Sequence, residues 1–149
     1  MYNIPKVKLT YVNENISLPP ALVKSSRQAY EVLINLYEPG QVGHIECFYM
    51  LLLNRANKIL GSHLVSMGGV TGTVVDPKVI FQAAILANAS CLILCHNHPS
   101  GSLTPSQQDI DITKKLRTAG KYLDILVQDH LIISPEGSYF SFSDEGLMY

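Results

Sequence analysis

The run Cys91-Leu92-Ile93-Leu94-Cys95 sets five apolar residues in a row between polar neighbours, and it constrains the fold more than any other feature of this 149-residue chain. Such a run, too short for a buried helix and with no polar alternation, has the pattern of a central strand covered on both faces. A strand covered twice needs a sheet with packed elements on either side, and the flanking sequence offers them. Ser25 or Ser26 can cap a helix running to about Leu36, in which Ala29, Val32, Leu33 and Leu36 repeat at helical spacing before Glu38-Pro39-Gly40 ends it. His44 to Leu53 and Lys58 to Met67 read as a hairpin across the turn residues Asn54-Arg55-Ala56-Asn57.

Gly68-Gly69 and Gly72 then lead to a second helix, Pro77 to Asn88, with Asp76 as N-cap and a proline at its first position. Its high apolar content predicts that it is mostly buried. Beyond the central strand comes a polar loop, His96 to Thr104. Thr104-Pro105-Ser106-Gln107 supplies an N-cap, an N1 proline and an N3 glutamine for a third helix ending at about Ala119, with Gly120 as its stop. Leu123 to Ser134 and Ser138 to Phe142 are extended and joined by the turn Pro135-Glu136-Gly137. Helices interspersed with hairpins and one central strand make this an α/β fold, or α+β sandwich, with a mixed central sheet flanked by helices. The two expected units are an N-terminal extended arm over residues 1–22, with Val7 to Val12 able to form a strand, and a compact domain over 23–149.

Composition matters mainly for what it excludes. Charged residues are 15% of the chain and the net charge is −1, so no global field draws it toward nucleic acid or an anionic membrane. The one basic cluster, Lys114, Lys115, Arg117 and Lys121, falls in the second half of the third helix, where cations also suit the negative end of the helix dipole. No apolar run is long enough for a signal peptide or a membrane span, which leads to the expectation of a cytoplasmic protein. Cys47, Cys91 and Cys95 are an odd number without a Cys-x-x-Cys pair, each in an apolar stretch, and read as reduced core thiols.

Chemistry is concentrated between residues 96 and 109. Two histidines in a His-x-His pair at the end of a buried strand, His96 and His98, can project to one side because extended residues alternate with period two. Asp109 lies one turn beyond Ser106 on the following helix, so both can face the mouth of the loop. Two imidazoles and a carboxylate are a ligand set of catalytic zinc sites, in which the fourth position is kept for water. Such a site still requires a base. Glu46, an isolated acid within an apolar run, is one candidate, although a water-facing edge residue is an equal reading. Ser106 can either donate to an oxyanion or merely bond backbone in the first helical turn.

The spacing His-x-His, seven residues, Ser, two residues, Asp, with an upstream glutamate, resembles the JAMM motif of MPN-domain metallopeptidases. The segments His96-Asn97-His98-Pro99-Ser100-Gly101, Pro105-Ser106-Gln107-Gln108-Asp109 and Asp129-His130 resemble the RadC branch of that superfamily, over roughly residues 22 to 146. This resemblance implies a zinc ion held by His96, His98 and Asp109, with Glu46 deprotonating the water and Ser106 steadying the oxyanion. It also implies a cytidine-deaminase-like fold and cleavage of peptide or isopeptide bonds. The name of the branch records a DNA-repair association. Its members usually have an additional helical region resembling a helix-hairpin-helix module, and the expectation is that this domain alone does not hold nucleic acid.

Asp129 and His130 occupy adjacent strand positions, so at most one reaches the pocket. His130 is either a group behind a ligand, a substrate contact, or a histidine satisfied locally. Cys95 could offer a thiolate to zinc, but its position turns it to the opposite side of the strand from His96, and His44 and His63 read as structural or surface residues. Two functions of different class follow: a zinc-dependent hydrolase of an amide bond, or a non-catalytic MPN-like interaction domain in DNA repair or mobile-element processing. Metal-dependent chemistry on nucleic acid lacks a basic footprint and an aromatic array. Edge strands leave a homodimer open.

Overall fold

The computed structural model describes residues 4–6, 22–69 and 72–149, so the arm expected over 1–22, including the Val7 to Val12 strand, lies almost wholly outside the described residues. Its elements run in the order α1 (Ser26–Leu33), a 3-10 turn (Ile34–Leu36), β1 (Cys47–Leu53), β2 (Ile59–Met67), α2 (Pro77–Leu86), β3 (Cys91–Asn97), α3 (Gln107–Tyr122), β4 (Leu126–Ile133) and β5 (Tyr139–Ser141). The five strands form one mixed sheet in the order β2-β1-β3-β4-β5. β1 is antiparallel to both β2 and β3, β3 and β4 are parallel, and β4 is antiparallel to β5. The parallel pair is joined through α3, as a crossover between parallel neighbours requires. This is the α/β fold expected for an MPN-type domain, with β3 at the centre of the sheet.

Period-two alternation sorts the core into two layers. Cys47, Tyr49, Leu51 and Leu53 of β1 and Cys91, Ile93 and Cys95 of β3 meet Ala29, Tyr30 and Leu33 of α1 on one face. Phe48, Met50, Leu52, Leu92 and Leu94 meet Ile80, Phe81 and Ala84 of α2 and Leu116 of α3 on the other. Every residue of β1 and β3 is buried. All three cysteines are free and buried within these strands, and burial pushes the Cys95 thiol up to about 12.

Four expectations shift. β1 begins at Cys47 rather than His44, because residues 41–45 are turns closed by bonds such as His44 N–H to the Gln41 carbonyl, 3.0 Å. α2 is not mostly buried: Ile80, Phe81 and Ala84 face the sheet, while Ile85 and Leu86 are each 52% exposed, since α2 is an outer layer touching the core along one stripe. The N-cap of α3 is Ser106, not Thr104. Its hydroxyl accepts from Asp109 N–H, and the Asp109 carboxylate accepts in return from Ser106 N–H, a capping box that outcompetes the Thr104/Gln107 pairing because it places a full negative charge at the helix N-terminus.

Finally, Gly120 does not stop α3. The helix continues to Tyr122, and Asp124 takes the left-handed turn at φ 54°. Ile125 N–H returns to the Gly120 carbonyl (2.8 Å) and Asp124 N–H to the Lys121 carbonyl (3.4 Å), a Schellman closure. The glycine is there because the chain folds back onto it: a Cβ on Gly120 would collide with the Ile125 carbonyl oxygen. Of the basic cluster, Lys114, Lys115 and Lys121 are exposed and Arg117 is half-buried. No described helix is long and apolar enough to cross a membrane.

Gly120→Ala tests this closure by its sign. Inside a helix alanine is favoured over glycine by about 1 kcal/mol, whereas the collision predicts a net loss of about 1–3 kcal/mol. Chemical denaturation of the two proteins reads the difference, and an alanine variant as stable as the parent contradicts the close approach.

Candidate metal centre

The site forms where β3 ends while still buried. His96 continues the even-numbered set of β3 and faces the α2/α3 side, where its ring lies parallel to Phe48 with centroids 5.8 Å apart. His98 follows on the same side, its backbone N–H held by the Ile133 carbonyl at 3.0 Å. A tight turn closes behind it, with Gly101 N–H on the His98 carbonyl at 2.9 Å and Gly101 at φ +85°, and this brings the Ser102 carbonyl to His98 Nδ1 at 2.7 Å. A carbonyl only accepts, so His98 Nδ1 carries a proton, and Nε2 holds a lone pair whenever the ring is neutral.

The capping box of α3 delivers the third group. Asp109 Oδ2 accepts from Ser106 N–H at 2.7 Å, which fixes the carboxylate over the helix N-terminus and turns it to the histidines. Asp109 Oδ1 lies 3.1 Å from His96 Nε2, Asp109 Oδ2 lies 3.4 Å from His98 Nε2, and the two Nε2 atoms are 2.9 Å apart. Ligand atoms around a tetrahedral zinc at ~2 Å stand about 3.3 Å from one another, so these separations fit such an ion. Lone pairs this close repel unless a proton or a metal ion lies between them. Burial works against the Asp109 carboxylate, yet hydrogen bonds with His96 and His98 outweigh it and hold the carboxyl far below the usual range. Burial likewise opposes charge on His98, but its bonds to Asp109 and Ser102 raise its pKa above the ordinary value.

A cleft of about 800 Å³ opens over these groups, and Glu46, Ser106, Thr73 and Phe48 share its lining with the two histidines and Asp109. The five residues singled out from the sequence therefore border one cavity. Glu46 sits just ahead of β1 and not inside the strand. Its backbone pairs with Gly68 and Gly69, and burial raises its carboxyl above the usual range despite the opposing pull of His96 and His98. Ser106 accepts at its hydroxyl from Asp109 N–H, which leaves its own proton free to donate.

A model of the RadC-like JAB domain matches residues 23–147. The chain belongs to that family. A UPF0758 protein of Flavobacterium johnsoniae is 46% identical over 125 residues, which are 84% of this chain and 53% of that protein. A UPF0758 protein of Methanosarcina barkeri is 37% identical over 139 residues, 93% of this chain and 57% of that protein. The chain thus spans about half the length of the curated relatives it matches. In this RadC-like JAB domain the His-His-Asp group is a possible metal site, since its ligand atoms all lie within 4.8 Å of one another.

Three buried polar residues lie behind the cleft: Asn97 and Thr113, which the sequence reading does not single out, and His130, for which a place behind a ligand is one of the sequence readings. Asn97, between the two histidines, points to the opposite face of the sheet. There its Nδ2 donates to the Val42 and Ile45 carbonyls and its Oδ1 accepts from Cys47 N–H, each at 2.8 Å. These bonds bracket Glu46 on both sides and tie it to the strand that carries the histidines. His130 and Thr113 lie under His96: His130 Nε2 is 2.8 Å from His96 Nδ1, and His130 Nδ1 is 2.6 Å from Thr113 Oγ1. Asp129 faces the other way, bonded to Ser141 Oγ and to the backbone N–H groups of His130 and Ser143. Cys95 also faces away from the cleft, against the Tyr37 hydroxyl at 3.7 Å.

The Asn97 bracket predicts that Asn97→Ala costs about 2–4 kcal/mol, because it strands buried donors and acceptors of the segment carrying Glu46. Hydrogen exchange should show the Cys47 amide losing protection in the variant. Unchanged exchange at Cys47 contradicts the role given to Asn97.

Proposed function

We propose that this domain is a zinc-dependent hydrolase of the JAMM type, cleaving a peptide, isopeptide or related amide bond. The observation that carries the reading is the crowding of His96 Nε2, His98 Nε2 and the Asp109 carboxylate within 2.9–3.4 Å at the wall of an open cleft. In this reading those three residues hold the ion. Zinc in such a set acts as a Lewis acid on a carbonyl and lowers the pKa of a water to about 7.

The remaining work falls to the chain's own groups. Glu46 takes a proton from the attacking water and returns it to the leaving amine. Its buried, upshifted carboxyl supports this, because a proton shuttle works best when its pKa approaches the operating pH. The Ser106 hydroxyl donates to the oxygen on which negative charge develops, a role open to it because its lone pair, and not its proton, is engaged by Asp109 N–H. Asp109 stays ionised throughout, its carboxylate accepting from the Ser106 N–H at the helix N-terminus. The ligand pair on a rigid strand end and the carboxylate on a capped helix keep the geometry fixed before substrate arrives.

Metal analysis tests the ligand set: the parent should retain one zinc per chain after dialysis, and His98→Ala and Asp109→Ala should lose it. A parent that takes up no zinc sinks the hydrolase reading and leaves the non-catalytic MPN-like interaction domain. Glu46→Gln should keep the metal while lowering cleavage of fluorogenic peptides and isopeptides by roughly 10²–10⁴-fold. Cleavage retained in that variant means that another group is the base.

A further inference from the structure

Behind His96 lies a row of polar atoms that the proposed chemistry does not use. Thr113 Oγ1 is 2.6 Å from the Asp109 backbone carbonyl and 2.6 Å from His130 Nδ1, and His130 Nε2 is 2.8 Å from His96 Nδ1. All of it is sealed: Thr113 is 1% exposed and His130 0%. The His130 ring stacks on Phe142 with centroids 4.9 Å apart and tilts against Phe48 at 5.3 Å, which removes water as an alternative partner and fixes the ring in place.

Each of these three contacts is short enough to need one proton, since two facing lone pairs at 2.6–2.8 Å repel. The Asp109 carbonyl has no proton to give, so the Thr113 hydroxyl donates to it. That uses the only proton of Thr113, and its oxygen must then accept from His130 Nδ1–H. A neutral imidazole protonated at Nδ1 presents a lone pair at Nε2, so His130 accepts from His96 Nδ1–H. His96 is left with a lone pair on Nε2, the atom facing Asp109 and His98. Run the other way, the chain would end with a proton on His96 Nε2, pointing at the position the ion takes, and the Thr113 and Asp109 oxygens would face each other without a hydrogen between them.

We propose that Thr113 and His130 are positioning residues that set the tautomer of His96, so that a backbone carbonyl of the carboxylate-bearing helix dictates which nitrogen of a β3 histidine is free to bind metal. The inference rests on the reading of His96 as a zinc ligand. It gives one hydroxyl two roles, because Thr113 reaches both Asp109's own turn of α3 and, through His130, the other side of the ligand set. It also explains a feature of β4. The β3–β4 register runs Leu92↔Val127 and then Ile93↔Asp129, so Gln128 is an extra residue. That bulge reverses the alternation and aims His130 at His96 while Asp129 turns to the opposite face.

The test uses nitrogen-15 spectra of histidine side chains and zinc affinity measured by competition with a chromophoric chelator. In the parent protein, metal-free and at mildly alkaline pH, His130 should be protonated at Nδ1 and bare at Nε2, with a proton on the facing His96 Nδ1. Thr113→Val, nearly isosteric, should redistribute the His130 proton and weaken zinc binding roughly 10- to 100-fold, the usual effect of losing a partner behind a ligand. Thr113→Ser should restore both signatures. A parent His130 protonated at Nε2 overturns the proposal, as does a folded Thr113→Val protein with parental tautomers and parental zinc affinity. If the parent binds no zinc at all, the hydrolase reading falls, and the ring-proton positions in the metal-free protein still decide the relay.

Discussion

A strand that stays fully buried to its last residue is the constraint on which this structure turns. β3 is covered on both faces from Cys91 to Asn97, so its polar terminal residues emerge where water is scarce and every donor and acceptor needs a protein partner. Alternation assigns those partners. His96 turns to the α2/α3 face and finds His130, Asp109 and His98, while Asn97 turns to the α1 face and pins the segment ahead of β1. The same burial that demands these bonds removes the freedom of the side chains that make them. A rigid constellation is the result.

Helix α3 meets this strand end with its N-terminus, and one carboxylate serves both. Asp109 completes the capping box through Oδ2 and presents Oδ1 to His96, so the group that starts the helix also closes the polar cluster. Negative charge is favoured at a helix N-terminus, which supports an ionised Asp109 independently of any cation. One turn further on, Thr113 returns its hydroxyl proton to the Asp109 carbonyl. Strand, loop and helix are therefore joined by hydrogen bonds within residues 96–113, and the carboxylate that caps the helix is also part of the site.

Much of this was legible in the sequence because it rests on local rules. The apolar run at Cys91 to Cys95 identified the central strand, period two placed His96 and His98 together and Cys95 away, and the Asp76-Pro77 start of α2 followed from capping chemistry. What was misread depends on tertiary context. The α3 cap is the exception, because Ser106-x-x-Asp109 is a capping-box spacing present in the sequence itself, in local competition with Thr104-x-x-Gln107. Gly120 looks like a helix stop but is a contact point for the returning Ile125 carbonyl. The bulge at Gln128 carries no sequence signature of its own, so the side on which His130 emerges could not be read from alternation. Thr113 falls on an otherwise ordinary amphipathic helix. The signal that could have singled out Asn97 is its polarity at a position where the strand is still buried.

The central claim is that His96, His98 and Asp109 converge on one zinc ion, and zinc K-edge X-ray absorption of the loaded protein tests it most directly. The account predicts a nitrogen and oxygen shell at about 2.0–2.1 Å with the multiple-scattering pattern of two imidazoles. A spectrum without imidazole scattering, or one dominated by sulfur at about 2.3 Å, contradicts it.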